Sequence, residues 1–197
     1  MKHLVVIVAG LTDKPFAEKD NKTPLQLADT PNLDALTKNA TCGPVQTIPD
    51  DLHPGNEVSC LGLLGLDPQT YSSGHAALSA MGLGIKPESD EIVLCCDLIT
   101  LQPTHDDMVM KDYTGGHLSH VDSGLLIDAL NKQVIDAPVT FYSGGGYHNL
   151  MFIKSSPISE RLSPPNELIG EGIRQFMPKG EPARELVFVV NQAQCHV

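Results

Sequence analysis

The chain has 197 residues, enough for one domain or two small ones with a buried core. At 41% hydrophobic and 19% charged residues it has a globular composition, which argues against bulk disorder. A formal net charge of −11 disfavours nucleic acid as a general partner, because a polyanion would approach a surface of like sign.

In chain order, "LVVIVAG" (4–10) is a continuous apolar run closed by glycine, the pattern of a strand covered on both faces of an α/β sheet. It follows a single lysine and lacks a signal-peptide plan, and no apolar run reaches membrane-spanning length. After "TPLQLA" (23–28) comes a predicted helix over 30–40, with Thr30 as cap, Pro31 at the first helical position, and Leu33 and Leu36 on one face. "GPVQTI" (43–48) reads as a second strand. "IPDDLHPGNEVSCLGLLGLDP" (48–68) then makes a Pro-Gly turn and enters a helix. Such a corner presents free N–H groups and a partial positive charge. A hydroxyl or thiol there would be chemically useful, but the chain has Asn56, whose carboxamide suits a helix cap. This β-α-β-α opening favours an α/β fold.

From about residue 70 the texture changes. Residues 72–85 are small and Gly-rich, 91–101 form a predicted strand, and 108–113 are its expected hairpin partner. Leu125, Leu126, Ala129 and Leu130 give 120–134 a helical spacing. "PVTFYSG" (138–144) and "YHNLMFIK" (147–154) read as strands joined by the glycines at 144–146; 163–180 supply a loop and a helix, and 185–190 a last strand. The pattern is a small antiparallel α+β unit inserted after an α/β start. With two strands in that start, the exposed sheet edge predicts a partner.

Five cysteines (Cys42, Cys60, Cys95, Cys96 and Cys195) show neither a zinc spacing nor a disulfide framework, so reduced thiols in a cytoplasm are expected. Ser59 lies about one helical turn beyond Asn56 and points elsewhere. Asp13 reads as a loop carboxylate, with a metal role as the alternative. The "HDD" at 105–107 and "GGH" at 115–117 read as solvated turns, whereas Asp97 and Asp112 either line one cleft or hold loops. No lysine or helix follows the glycines at 144–146 in the way a phosphate loop requires.

The stretches "KTPLQLADTPNLDAL", "HPGNEVSCLGLLGLDP", "YSSGHAALSAMGLGI", "CCDLIT", "KDYTGGHLS", "FYSGGGYHNLMF" and "SPPNELIG" occur in this order along nearly the whole chain. Together they resemble the N-terminal half of the archaeal-type cofactor-independent phosphoglycerate mutases, in the alkaline phosphatase superfamily. The resemblance implies an α/β fold: part of an alkaline-phosphatase-like core over 1–70, then a cap-like α+β domain over 71–197. It implies interconversion of 3- and 2-phosphoglycerate through a phosphoserine and two divalent metals, manganese or magnesium.

At the matched positions the family's chemistry is altered. The family's metal-binding Asp is Ala9, its nucleophilic serine is Asn56, an arginine is His75 and a glutamate is Ser79. Its "YRH" is Tyr147-His148-Asn149, and the chain stops before the family's C-terminal metal ligands. His117 matches a family histidine. His75, Asp97, Asp112, His117 and His148 are therefore the expected cleft residues, with no metal ligand and no cofactor expected for this chain alone. The expectation is a relative inactive by itself. The alternatives are a binding or regulatory module for a small phosphorylated or carboxylated ligand, and one chain of a split enzyme. A homo-oligomer or complementary chain is the expected assembly.

Overall fold

The structure, a computed structural model, describes residues 2–8, 10–134, 137–154 and 162–179. Ala9, Cys195 and the strand expected at 185–190 lie outside the described residues. The chain divides into two compact units, residues 1–46 and 47–197. None of the described helices is long and apolar enough to cross a membrane.

The first unit holds two short helices, α1 (Pro24–Leu27) and α2 (Pro31–Thr37). A reciprocal cap starts α1: Thr23 N–H donates to Gln26 Oε1 at 2.9 Å, and Gln26 N–H donates to Thr23 Oγ1 at 3.3 Å. Thr30 precedes α2 and Pro31 is its first residue, as expected, although the Thr30 hydroxyl donates to Asp34 Oδ1 at 3.0 Å rather than capping a backbone N–H.

Among the described residues, the segments expected as strands at 4–10 and 43–48 form none. A strand needs a neighbour for its N–H and C=O groups, and neither segment forms a ladder among the described residues. Leu4 stays 86% exposed and Ile7 55%. Of the β-α-β-α opening, the two helices form, at Pro31–Thr37 and Asn56–Leu63, and the two strands do not among the described residues.

The second unit is a three-layer arrangement of mixed α and β structure. It contains α3 (Asn56–Leu63), α4 (Pro68–Tyr71), α5 (His75–Gly82), β1 (Glu91–Asp97), β2 (Thr100–Pro103), β3 (Met108–Asp112), α6 (His120–Gln133), β4 (Val139–Ser143) and β5 (His148–Lys154). Antiparallel strands in the order β1-β5-β4 form its main sheet, and β2 and β3 form a separate hairpin. Strand β5 is central, which accounts for its apolar run Leu150 to Ile153; these four and Asn149 before them are all buried. On one face, Ala76, Ala80 and Ile85 pack against Val93, Tyr142, Leu150 and Phe152. On the other, Ile127 and Leu130 of α6 and Val134 just after it pack against Leu94, Cys96, Phe141 and Met151.

The predicted strand 91–101 divides in two. Leu98 N–H donates to Tyr147 O at 2.9 Å, and the chain then enters β2, so the 108–112 strand pairs with β2 and β1 pairs with β5. The Gly-rich stretch 72–85 holds α5, because "HAALSAM" is rich in good helix formers once Gly74 supplies the turn at φ 91°. The helix expected in 163–180 is replaced by short 3-10 turns at Pro165–Glu167 and Ile173–Phe176. Two prolines and Gly170 at φ 83° interrupt it. The glycines at 144–146 make the expected hairpin. Gly145 sits at φ 96°, a conformation that strains any side chain, and the His120 ring would have to move to admit a Cβ there.

Asn131 of α6 closes part of the outer edge of β4. Its carboxamide accepts from Phe141 N–H at 2.8 Å and donates to Phe141 O at 2.9 Å, as a neighbouring strand would.

Candidate functional site

The corner before α3 differs from expectation by one residue. Gly55, extended at φ −158° and ψ 154°, is the N-cap, and Asn56 is the first helical residue rather than the cap. The Glu57 carboxylate folds back over Gly55, where a Cβ would lie 2.6 Å from its Oε1, a contact that the flexible Glu57 side chain could relieve by moving. The hydroxyl of Ser59 is committed to the Gly55 carbonyl at 2.7 Å, inside the helix's own first turn. Glu57 Oε2 faces His75 Nδ1 at 3.8 Å, linking the start of α3 to the start of α5.

Sheet register makes the second half of the site. Asp97, the last residue of β1, lies directly opposite His148, the first residue of β5. Cross-strand partners are close enough to interact, and here Asp97 Oδ1 meets His148 Nδ1 at 3.0 Å. Asp97 is largely covered, with 12% of its side chain exposed, while His148 keeps 60%. Tyr147 stacks on the His148 ring with centroids 3.9 Å apart, and Tyr113 meets Tyr147 edge-on at 5.7 Å.

Beneath this pair Asn149 turns into the opposite layer. It is 2% exposed, accepts from Ser123 Oγ at 3.1 Å and Gly144 N–H at 3.2 Å, and donates to Tyr147 O at 3.1 Å. The amide thus fixes the glycine turn that presents His148.

Between α5 and the β1/β5 ends lies a cleft of about 220 Å³, lined by His75 and Ser79 from α5, Cys95 and Asp97 from β1, and His148 and Asn149 from β5. Three of the five expected cleft residues, His75, Asp97 and His148, are brought together there. Asp112 and His117 are not part of its lining. The Asp112 carboxylate instead organises the turn after β3, accepting from Thr114 N–H at 2.8 Å, Thr114 Oγ1 at 2.7 Å and Gly116 N–H at 2.7 Å. Those bonds, the backbone one first, hold its carboxyl below the usual range. A depressed carboxylate stabilises the fold above its unfolded-state value, and that contribution is lost as the pH falls through the folded value. His117 follows at φ 58°, its N–H shared with Thr114.

Glu57 was not singled out from the sequence, and Cys95 was read only as a reduced thiol packed in a strand. Glu57 is the one charged side chain in α3. Cys95 is two residues before Asp97 on the same strand, hence on the same face. Partial loss of hydration, then the carboxylates of Asp97 and Glu57, push the Cys95 thiol up to about 11. Burial pushes Cys96 up to about 12. A neutral thiol is a poor nucleophile, with on the order of one in a thousand or fewer ionised near neutral pH. Brief iodoacetamide treatment at neutral pH should therefore modify the exposed Cys42 and Cys60 and leave Cys95 and Cys96 intact by peptide mass spectrometry. Early modification of Cys96 would mean that the α6 face of the sheet opens readily.

Among the described residues no three His, Cys, Asp or Glu side chains converge as ligands. Asp13 is an exposed loop residue whose Oδ1 accepts from Lys14 N–H at 2.6 Å.

Residues 37–195 match the family model described as 2,3-bisphosphoglycerate-independent phosphoglycerate mutase. A Geobacter sulfurreducens protein named "Probable 2,3-bisphosphoglycerate-independent phosphoglycerate mutase" is 34% identical over 98% of this chain and 49% of its own length. A Methanothermobacter thermautotrophicus protein named "2,3-bisphosphoglycerate-independent phosphoglycerate mutase 2" is 35% identical over 91% of this chain and 44% of its own. The chain thus spans about half the length of the curated relatives it matches. A solved protein of Pyrococcus horikoshii shares the fold with a TM-score of 0.54 at 19% identity, over 93% of this chain and 40% of that one.

Proposed function

Because the chain belongs to the 2,3-bisphosphoglycerate-independent phosphoglycerate mutase family, we propose that it is a relative that keeps a small-ligand cleft but does not itself transfer a phosphoryl group. In this reading residues 1–70 descend from an alkaline-phosphatase-like core and 71–197 from its cap. The observation that carries it is the corner before α3, where no nucleophile stands. Asn56 offers a carboxamide, whose nitrogen lone pair is delocalised, and the nearest hydroxyl, Ser59, is bonded to the Gly55 carbonyl. Phosphoryl transfer through an enzyme intermediate needs an activated nucleophile and strong stabilisation of the charge on the transferring group.

The test is a coupled assay for conversion of 3- to 2-phosphoglycerate with manganese or magnesium. The expected result is no rate above background for the natural chain or for Asn56→Ser, since a hydroxyl without a base or metal is not activated. Turnover by the natural chain would overturn the proposal.

A second reading, one chain of a two-chain enzyme, is favoured by the exposure of Leu4 to Val8, which runs from 55% to 86%. An apolar run of this kind is a strand awaiting partners. Sedimentation should then show self-association or, with a partner chain present, a stable complex. A monodisperse monomer that ignores every candidate partner would exclude it.

A further inference from the structure

Strand β1 is an outer strand of the main sheet, and the orientation of its backbone groups follows from one bond. Leu98 N–H donates to Tyr147 O, and antiparallel pairs exchange bonds at every second residue, so Ile92, Leu94 and Cys96 bond to β5. The N–H and C=O groups of Val93, Cys95 and Asp97 therefore point away from β5, and among the described residues no backbone group meets them. None of the seven residues of β1 is buried, whereas five in succession are buried in β5, and Cys95 is exposed.

Natural edges are usually blunted by a lysine, a proline, a bulge or a covering loop. Residues 92–96 have no charge, no proline and no shift of register against β5. Leu94 and Cys96 border the layer of α6, and Val93 borders that of α5, so an added strand would find apolar neighbours on both faces. Charge stands only at the two ends, in Glu91 and Asp97. Both lie on the face that carries Val93 and Cys95, because side chains alternate along a strand.

Those ends decide the occupant. Outward-facing residues must meet outward-facing residues, so a second copy in full overlap would set Glu91 against Asp97 at both ends. Like charges directly opposite each other destabilise a ladder, and each copy brings a formal net charge of −11. A slipped pairing avoids that clash only by shortening the ladder. Around the strand, Glu88, Asp90, Glu91 and Asp97 outnumber Lys86 and Lys154, and Lys154 is held by Asp90 at 3.2 Å. Asp97 already meets His148, whereas the Glu91 carboxylate accepts only from Glu88 N–H at 2.9 Å, so Glu91 is the stronger marker.

We propose that the outer edge of β1 receives an extended segment of another protein, added as an antiparallel fourth strand. Its basic side chains, six residues apart, stand opposite Glu91 and Asp97, with apolar or β-branched residues between them. Main-chain bonds to Val93, Cys95 and Asp97 supply the affinity, and the charged ends set the register.

The probe is the acetylated and amidated peptide KVTVTVK, titrated into the full chain and followed by amide NMR shifts and hydrogen exchange, with EVTVTVE as the comparison. Expected are saturable shifts confined to β1 and its immediate flanks, with exchange at the N–H groups of Val93, Cys95 and Asp97 slowed at least about tenfold. EVTVTVE should bind at least about tenfold more weakly. Cys95→Pro removes one outward N–H and no bond to β5, at a place where an edge strand admits proline. It should abolish the response while the amides of β5 stay protected. Glu91→Lys removes no ladder bond and should weaken KVTVTVK about fivefold, so it decides the matter if the proline variant does not fold.

Equal binding of the two peptides would overturn the proposal, as would no saturable shift with KVTVTVK or a response spread over the acidic surface. Slow exchange at Val93 and Cys95 that needs no peptide and grows with protein concentration would overturn it too, and would assign the edge to a second copy.

Discussion

Truncation of Phe152 to alanine should lower the unfolding free energy of the second unit by about 3–5 kcal/mol. Phe152 is 1% exposed at the middle of the central strand, its ring 4.7 Å from that of Tyr142 and packed with Ala80 and Leu150. The pocket it would leave is walled by helix α5 and two neighbouring strands, so it cannot collapse without moving the sheet. Native domains are stable by roughly 5–15 kcal/mol in all, so this variant should stand near the threshold of folding. Urea unfolding followed by circular dichroism measures the difference. Leu125→Ala on the outer side of α6, where Leu125 is 65% exposed, should fall within about 0.5 kcal/mol of the parent. Similar losses at both positions would mean that α5 does not pack on the sheet as described.

Asn149→Leu should cost about 2–4 kcal/mol and also dismantle the cleft. The change keeps the volume roughly constant but strands two donors, the hydroxyl of Ser123, which is fully buried, and the N–H of Gly144. Each buried unsatisfied group costs about 1–3 kcal/mol. The glycine turn loses its anchor, and His148 with it, so the His148 ring resonances should lose their dependence on Asp97. The double variant Ser123→Ala with Asn149→Leu should recover part of the stability, because one stranded donor is removed with its partner. It should not restore the cleft, since Gly144 remains unanchored. Additive losses in the double variant would show that the Ser123–Asn149 bond contributes nothing.

How far the sequence spoke depended on whether a signal was local. The β4–β5 hairpin and helix α6 were both legible, since each follows from its own apolar period and turn residues. The buried face of α6 was not. Of Leu125, Leu126, Ala129 and Leu130, only Leu130 is fully buried, and Ser123 and Ile127, which the spacing did not single out, are buried with it. The reason is the hydrogen bond from Ser123 to Asn149, which brings a polar residue into the core from 26 positions away. The segment 4–10 failed the other way: its apolar run is strong, but a strand is a property of a pair. Asp97 and His148 were candidates from their motifs, yet their meeting depends on a register between β1 and β5 that alternation alone does not set. Asn56 was placed at the cap by residue preference, and the helix instead starts one residue earlier, with Gly55 as the cap.

Asn131 gives the main sheet a direction of growth. By occupying both backbone groups of Phe141, its side chain leaves β4 without a free hydrogen-bonding pair at that position. On the far side, no described strand pairs with the outer edge of β1. Any strand added to this sheet, from this chain or another, would therefore dock beside Glu91–Asp97. It would then lie next to Cys95 and Asp97, so that extending the sheet and reshaping the cleft would be a single event.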